Sequence, residues 1–208
     1  MMGDQARETV GDSKQTMETS TISNSPGGQG IIVCGVSASG KSIAAAKLAA
    51  SLETKDSITV VGLEHSREIY EEYLPGAKLV SSQDLWKKEM SKHENAADPP
   101  KLISVFDECP HWLPFNRLGV DVASKGRTVI ICTQEYRNKL KKGLSEWIPS
   151  RILFTHGLSV EHFVDTRQDL CGQSTPPTQK EAREVCSRWD LISFEPLVQR
   201  WSVVKLQK

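Results

Sequence analysis

Apolar residues in this chain come in short runs, and most of the runs are too short for helices. Runs rich in β-branched side chains at 31–33, 57–62, 101–106, 127–134 and 150–155 are bounded by glycine, proline or charged residues. Such runs predict strands buried on both faces, as in a parallel sheet covered by helices. A shorter run at 78–80 predicts a further strand. Residues 190–194 and 201–206 predict two closing strands joined across Glu195-Pro196 as a hairpin. Between the runs lie helix-favouring stretches at 43–52, 66–74, 82–90, 113–124, 160–170 and, after Pro176-Pro177, up to 189. Residues 1–29 are polar and nearly devoid of apolar side chains, which predicts a disordered tail ahead of a single domain at 30–208. Strands alternating with helices predict an α/β fold, a mainly parallel sheet with helices on both faces and a C-terminal β-hairpin.

The first strand runs into Gly35-Val-Ser-Ala-Ser-Gly-Lys-Ser42, followed by the Ala-rich stretch that begins at Ile43. Strand, glycine loop and helix in this order give the spacing GxxxxGK[ST] its meaning. The glycines let the backbone curl so that successive N–H groups point inward at phosphate oxygens, which makes Gly35, Val36, Ser37, Ala38, Ser39, Gly40, Lys41, Ser42 and Ile43 the candidate nucleotide-binding residues. The helix dipole adds to the pull on an anion there. Lys41 is expected to reach the β- and γ-phosphates of ATP, and the Ser42 hydroxyl to ligate Mg²⁺.

Two further strand ends carry matching chemistry. The run at 101–106 ends in Asp107-Glu108, the pattern of a Walker B element. Asp107 is expected to hold Mg²⁺ through its water shell, and Glu108 to polarise the attacking water. The run at 127–134 ends in Thr133-Gln134. The Gln134 amide donates and accepts at once, which suits a sensor of the γ-phosphate or the water. P-loop folds with a catalytic glutamate place such a strand between the loop strand and the Walker B strand.

Composition narrows the partners. Lys+Arg and Asp+Glu both count 26, so the formal net charge is zero and any nucleic-acid contact would have to be local. The densest basic cluster, Arg137 to Lys142, could meet DNA, a neighbouring subunit or only solvent. The five cysteines and five histidines show no metal-ligand spacing, which suggests reduced core thiols and an intracellular protein. No apolar run approaches the ~18 residues a membrane helix needs, so no membrane partner is expected.

Together, GVSASGKS, LISVFDEC and GRTVIICTQ resemble the FtsK/HerA superfamily of DNA-pumping ATPases. Gly126-Arg127 ahead of a strand ending in Thr133-Gln134 is similar to the genome-packaging ATPases of large double-stranded DNA viruses. The segment from Ile148 to Phe154, with Ser159 and Asp165-Thr-Arg-Gln, is similar to the stretch after the sensor strand in FtsK motors. The resemblance implies a P-loop NTPase of the additional-strand, catalytic-glutamate type. It also implies a homo-oligomeric ring of about five or six subunits threading double-stranded DNA, with a capsid or portal component among its partners and virion assembly as its setting. Such rings borrow an arginine across the subunit interface, and Arg127 and Arg151 match arginines of the family motifs. Two features depart from the pattern: Glu108 stands where many viral members carry aspartate, and the neutral charge marks no DNA path. A small-molecule or nucleotide kinase on the same scaffold, and a slow P-loop switch, stay open beside the motor.

Overall fold

The computed structural model describes residues 17–22, 27–52, 58–62, 64–92, 102–108, 112–113, 115–134, 147–155, 157–166, 168–172, 174–178, 180–181, 184 and 190–206. Among them nine strands form one sheet: β1 (Glu18–Ser20), β2 (Gln29–Cys34), β3 (Ile58–Val61), β4 (Lys78–Val80), β5 (Ile103–Phe106), β6 (Thr128–Thr133), β7 (Arg151–Phe154), β8 (Leu191–Glu195) and β9 (Arg200–Val204). Their spatial order is β1-β9-β8-β7-β2-β6-β5-β3-β4. β8 pairs antiparallel with both β7 and β9, and the remaining pairs are parallel. The strand that precedes Gln134 thus lies between β2 and β5, as the sequence reading expected.

Period-two alternation sends successive side chains of each strand into two different cores. Ile32 and Cys34 of β2 join Ile131, Phe106 and Phe154 in one layer. Ile31 and Val33 join Ile130, Val105 and Leu153 in the other. The first layer is closed by α3 (Gln83–Lys92), α4 (Phe115–Lys125), α5 (Gly157–Thr166) and α6 (Gln168–Cys171). The second is closed by α1 (Lys41–Ser51) and α2 (Arg67–Tyr73), the latter entered through a 3₁₀ turn at Glu64–Ser66. Both faces of every central strand are therefore dry, which is why those strands read as unbroken apolar runs. α1 can lie close to the sheet because its inward face is Ala44, Ala45, Ala46 and Ala49, small side chains that are all buried.

The hairpin β8–β9 forms as expected, and Phe194 and Trp201 stack across it at 4.5 Å between ring centres. Phe154 and Phe163 extend this aromatic group onto β7 and α5. The stretch read as one helix at 160–170 is two, α5 and α6.

The polar tail needs correction. Glu18–Ser20 is a sheet strand parallel to β9, with Ser20 Oγ 2.9 Å from Ser202 Oγ. Backbone pairing to a free sheet edge asks nothing of side-chain polarity, so composition could not reveal it. β2 also begins at Gln29, within the stretch read as tail. Gly28, at φ 74°, passes so close to the Arg127 carbonyl that a Cβ there would collide with it. Residues 1–16, the loop at 93–100, the basic cluster 137–142 and most of the charged helix read up to 189 lie outside the described residues. Among the described residues, no helix is long and apolar enough to cross a membrane.

Candidate functional site

The loop after β2, the end of β5 and the end of β6 converge at the carboxyl edge of the sheet, where open α/β sheets bind their ligands. The Gly35 N–H donates to the Thr133 carbonyl at 3.3 Å, which ties the loop's first residue to β6. The loop then turns tightly, with Ser39 N–H donating to the Val36 carbonyl at 3.2 Å. Ala38 (φ 58°) and Gly40 (φ 84°) both take the left-handed conformation. Gly40 leads directly into α1, whose first intrahelical bond is Ala44 N–H to the Gly40 carbonyl, 2.9 Å. Lys41 is 5 % exposed, and its Nζ donates to the Val36 carbonyl at 2.9 Å, so the ammonium curls over its own loop.

Ser42 and Asp107 meet, although α1 and β5 are far apart in sequence. The Ser42 hydroxyl lies 3.1 Å from each Asp107 carboxylate oxygen, and Asp107 is 4 % exposed. The Asp107 N–H donates to the Val61 carbonyl at 2.8 Å, fixing the strand end. A hydroxyl and a carboxylate beside a phosphate-binding loop form a hard-oxygen donor set that suits Mg²⁺. Glu108 follows in a left-handed conformation (φ 61°), which costs a non-glycine residue on the order of 1 kcal/mol. Gln134 Nε2 donates to Glu108 Oε1 at 2.6 Å, so the sensor candidate holds the base candidate in place.

A cavity of about 350 Å³ opens between these groups, lined by residues 37–43 of the loop, Glu108, Gln134 and a wall from the 3₁₀ turn and α2. That wall, His65, Ser66 and Ile69, had no role in the sequence reading. Size alone does not locate the site. A larger groove of about 660 Å³ between the β1–β9 edge and α1 contains none of the residues predicted for the site.

Beneath the site lies Tyr70 of α2, 1 % exposed. Its hydroxyl is close enough to Cys132 and Ser42 to feel both, yet makes no well-formed hydrogen bond among the described residues. Burial pushes this phenol far above the usual tyrosine range, and the Cys132 and Asp107 charges act in the same sense. Burial likewise pushes the Cys132 thiol up, reinforced by Asp107 and opposed by Lys41. Both groups therefore stay neutral at ordinary pH, so the floor under Asp107 carries no competing negative charge.

Arg127 and Arg151 are not brought to this site. Each stands at the amino end of its strand, opposite the carboxyl edge. The Arg127 side chain is 9 % exposed and pairs with buried Asp121 at 3.1 Å. The Arg151 side chain is 14 % exposed, 3.5 Å from Glu195, and donates to Ser20 Oγ at 3.2 Å. Within the chain each guanidinium is engaged in an internal ion pair, Arg127 with Asp121 and Arg151 with Glu195. Arg127→Ala should lower stability by about 1–2 kcal/mol, because Asp121 loses its buried partner and keeps the part-exposed Lys125, 3.2 Å away. Urea denaturation measures the loss, and ATP affinity of the folded variant should stay within a few-fold. A finger would instead cost turnover at unchanged stability.

Thr155 was also missed, though it had a signal. Like Asp107-Glu108 and Thr133-Gln134, it is a polar residue closing an apolar strand run, and its hydroxyl lies 2.6 Å from Ser39 Oγ.

No protein-family model matches the sequence, and no curated protein matches it. Solved structures do match in fold. One is the cytoplasmic domain of the Thermomonospora curvata type VII secretion ATPase EccC, with a TM-score of 0.54 at 12 % identity. The match covers 87 % of this chain and 24 % of that one, so this chain spans about a quarter of its neighbour's length. At this identity the likeness is one of fold: a mixed α/β domain with a mostly parallel sheet, consistent with a P-loop ATPase-like fold.

Proposed function

We propose that this chain is an ATP-hydrolysing motor of the FtsK/HerA type that moves double-stranded DNA, with viral genome packaging as its setting. The observation that carries the reading is the meeting of Ser42 with Asp107, and of Glu108 with Gln134, around one phosphate-binding loop. The order β2-β6-β5 supports the additional-strand, catalytic-glutamate type. The triphosphate would lie along the loop, where Lys41 exchanges the Val36 carbonyl for phosphate oxygens. Ser42 and Asp107 would hold Mg²⁺, which when bound neutralises charge on the phosphates. Glu108 would accept a proton from the attacking water while Gln134 orients that water. The DNA-motor and viral parts of the reading rest on the motif resemblance, Gly126-Arg127 before the Thr133-Gln134 strand above all.

In this reading the chain works as a homo-oligomeric ring, and Arg127 or Arg151, which match arginines of the family motifs, would have to leave its internal ion pair to serve a neighbour's site. ATP turnover with and without double-stranded DNA, alongside light scattering, tests it. The expected result is several-fold stimulation by DNA and an ATP-dependent ring of about five or six subunits. A monomer whose turnover ignores DNA would favour the switch, and phosphate transfer to a small acceptor would favour the kinase.

A further inference from the structure

The tip of β7 touches the phosphate-binding loop, and no motif includes it. The Thr155 N–H donates to the Cys34 carbonyl at 2.9 Å, extending the β2–β7 pairing by one residue. The Thr155 hydroxyl lies 2.6 Å from Ser39 Oγ and 3.3 Å from the Cys34 carbonyl oxygen. These two hydroxyls fill the space over Gly35, where a Cβ would collide with both. The missing side chain at Gly35 therefore lets a strand tip reach across the loop to Ser39.

A threonine hydroxyl has one proton to give. The angles at the two oxygens make Thr155 the donor to Ser39 Oγ at 2.6 Å, the length of a good O–H···O bond, while the Cys34 carbonyl contact is long. Ser39 then keeps its own proton, and it lines the cavity that faces Glu108. A hydroxyl that accepts one hydrogen bond becomes a stronger donor in the next. We infer that Thr155 is a positioning residue for the triphosphate: it makes Ser39 a side-chain donor to a phosphate oxygen, beside the backbone N–H groups of the loop. The inference rests on the ATP-binding reading above and adds a strand tip that the loop motif does not contain.

The test compares MgATP dissociation constants of the wild type, Thr155→Val, Thr155→Ser, Ser39→Ala and the Thr155→Val/Ser39→Ala double variant by calorimetric titration. Each thermal midpoint is measured without nucleotide. Valine keeps the shape of threonine without its proton. Thr155→Val should weaken binding roughly ten-fold, as expected for one hydrogen bond to a charged group. Thr155→Ser should stay within about two-fold of the wild type, since it keeps the hydroxyl that the inference requires. Ser39→Ala should lose as much as Thr155→Val, and the double variant no more than either alone, because the two hydroxyls act in series. Unchanged affinity in Ser39→Ala, or losses that multiply in the double variant, would overturn the inference. If valine lowers the thermal midpoint, the loss in Ser39→Ala and the retention in Thr155→Ser still decide. A wild type that does not bind MgATP at all would sink the ATPase reading itself, which is a different failure.

Discussion

Lys41→Ala should weaken MgATP binding by at least roughly 100-fold and remove measurable hydrolysis. The side chain is nearly enclosed and its ammonium already reaches back over the loop to the Val36 carbonyl, 2.9 Å away. Binding a triphosphate requires it only to trade one carbonyl for phosphate oxygens, a short swing with a large gain in charge complementarity. Alanine removes that charge and leaves the left-handed turns at Ala38 and Gly40 without a cation to focus them. The fold should survive, because alanine is the best helix former and position 41 opens α1. Calorimetric titration with MgATP checks the affinity, and an unchanged circular dichroism spectrum checks the fold.

Glu108→Gln should separate binding from chemistry. The Ser42–Asp107 pair is untouched, so MgATP affinity should stay within a few-fold of the wild type. Gln134 can still donate to the amide oxygen that replaces the carboxylate, so the local geometry should hold. The group that would take the proton of the attacking water is gone, and turnover should fall by about 10² or more. Single-turnover measurements should find a long-lived ATP-bound state. A variant that loses Mg²⁺ affinity more than turnover would assign Glu108 to the metal instead.

Much of this site is legible in the sequence because strand ends are legible. An apolar run closed by Asp107-Glu108 or by Thr133-Gln134 puts those side chains at the carboxyl edge of a parallel sheet. The glycine loop after β2 puts Lys41 and Ser42 at the same edge. What the sequence hides is lateral: which strand tip lies beside which loop, and what packs under it. Thr155 reaches Ser39 only because β7 flanks β2 on the side away from β6. Tyr70 reaches the site's floor only because α2 packs beside α1. β1 escaped notice because a three-residue edge strand is held by backbone bonds, to which Glu18, Thr19 and Ser20 lend no apolar signal. The arginines show the same limit. A residue just before or at the start of a strand sits at the amino edge, and only the fold shows that Arg127 and Arg151 pair there with Asp121 and Glu195.

The central claim, that the loop and the two strand tips form one site for ATP hydrolysis, is tested most directly by phosphate release from MgATP. The wild-type chain and Glu108→Gln are measured side by side, with bound ATP quantified in the same samples. The expected result is steady release by the wild type, and release about 10² or more slower by Glu108→Gln with ATP retained on the protein. Equal rates in the two proteins, or a wild type that neither binds nor hydrolyses ATP, would contradict it.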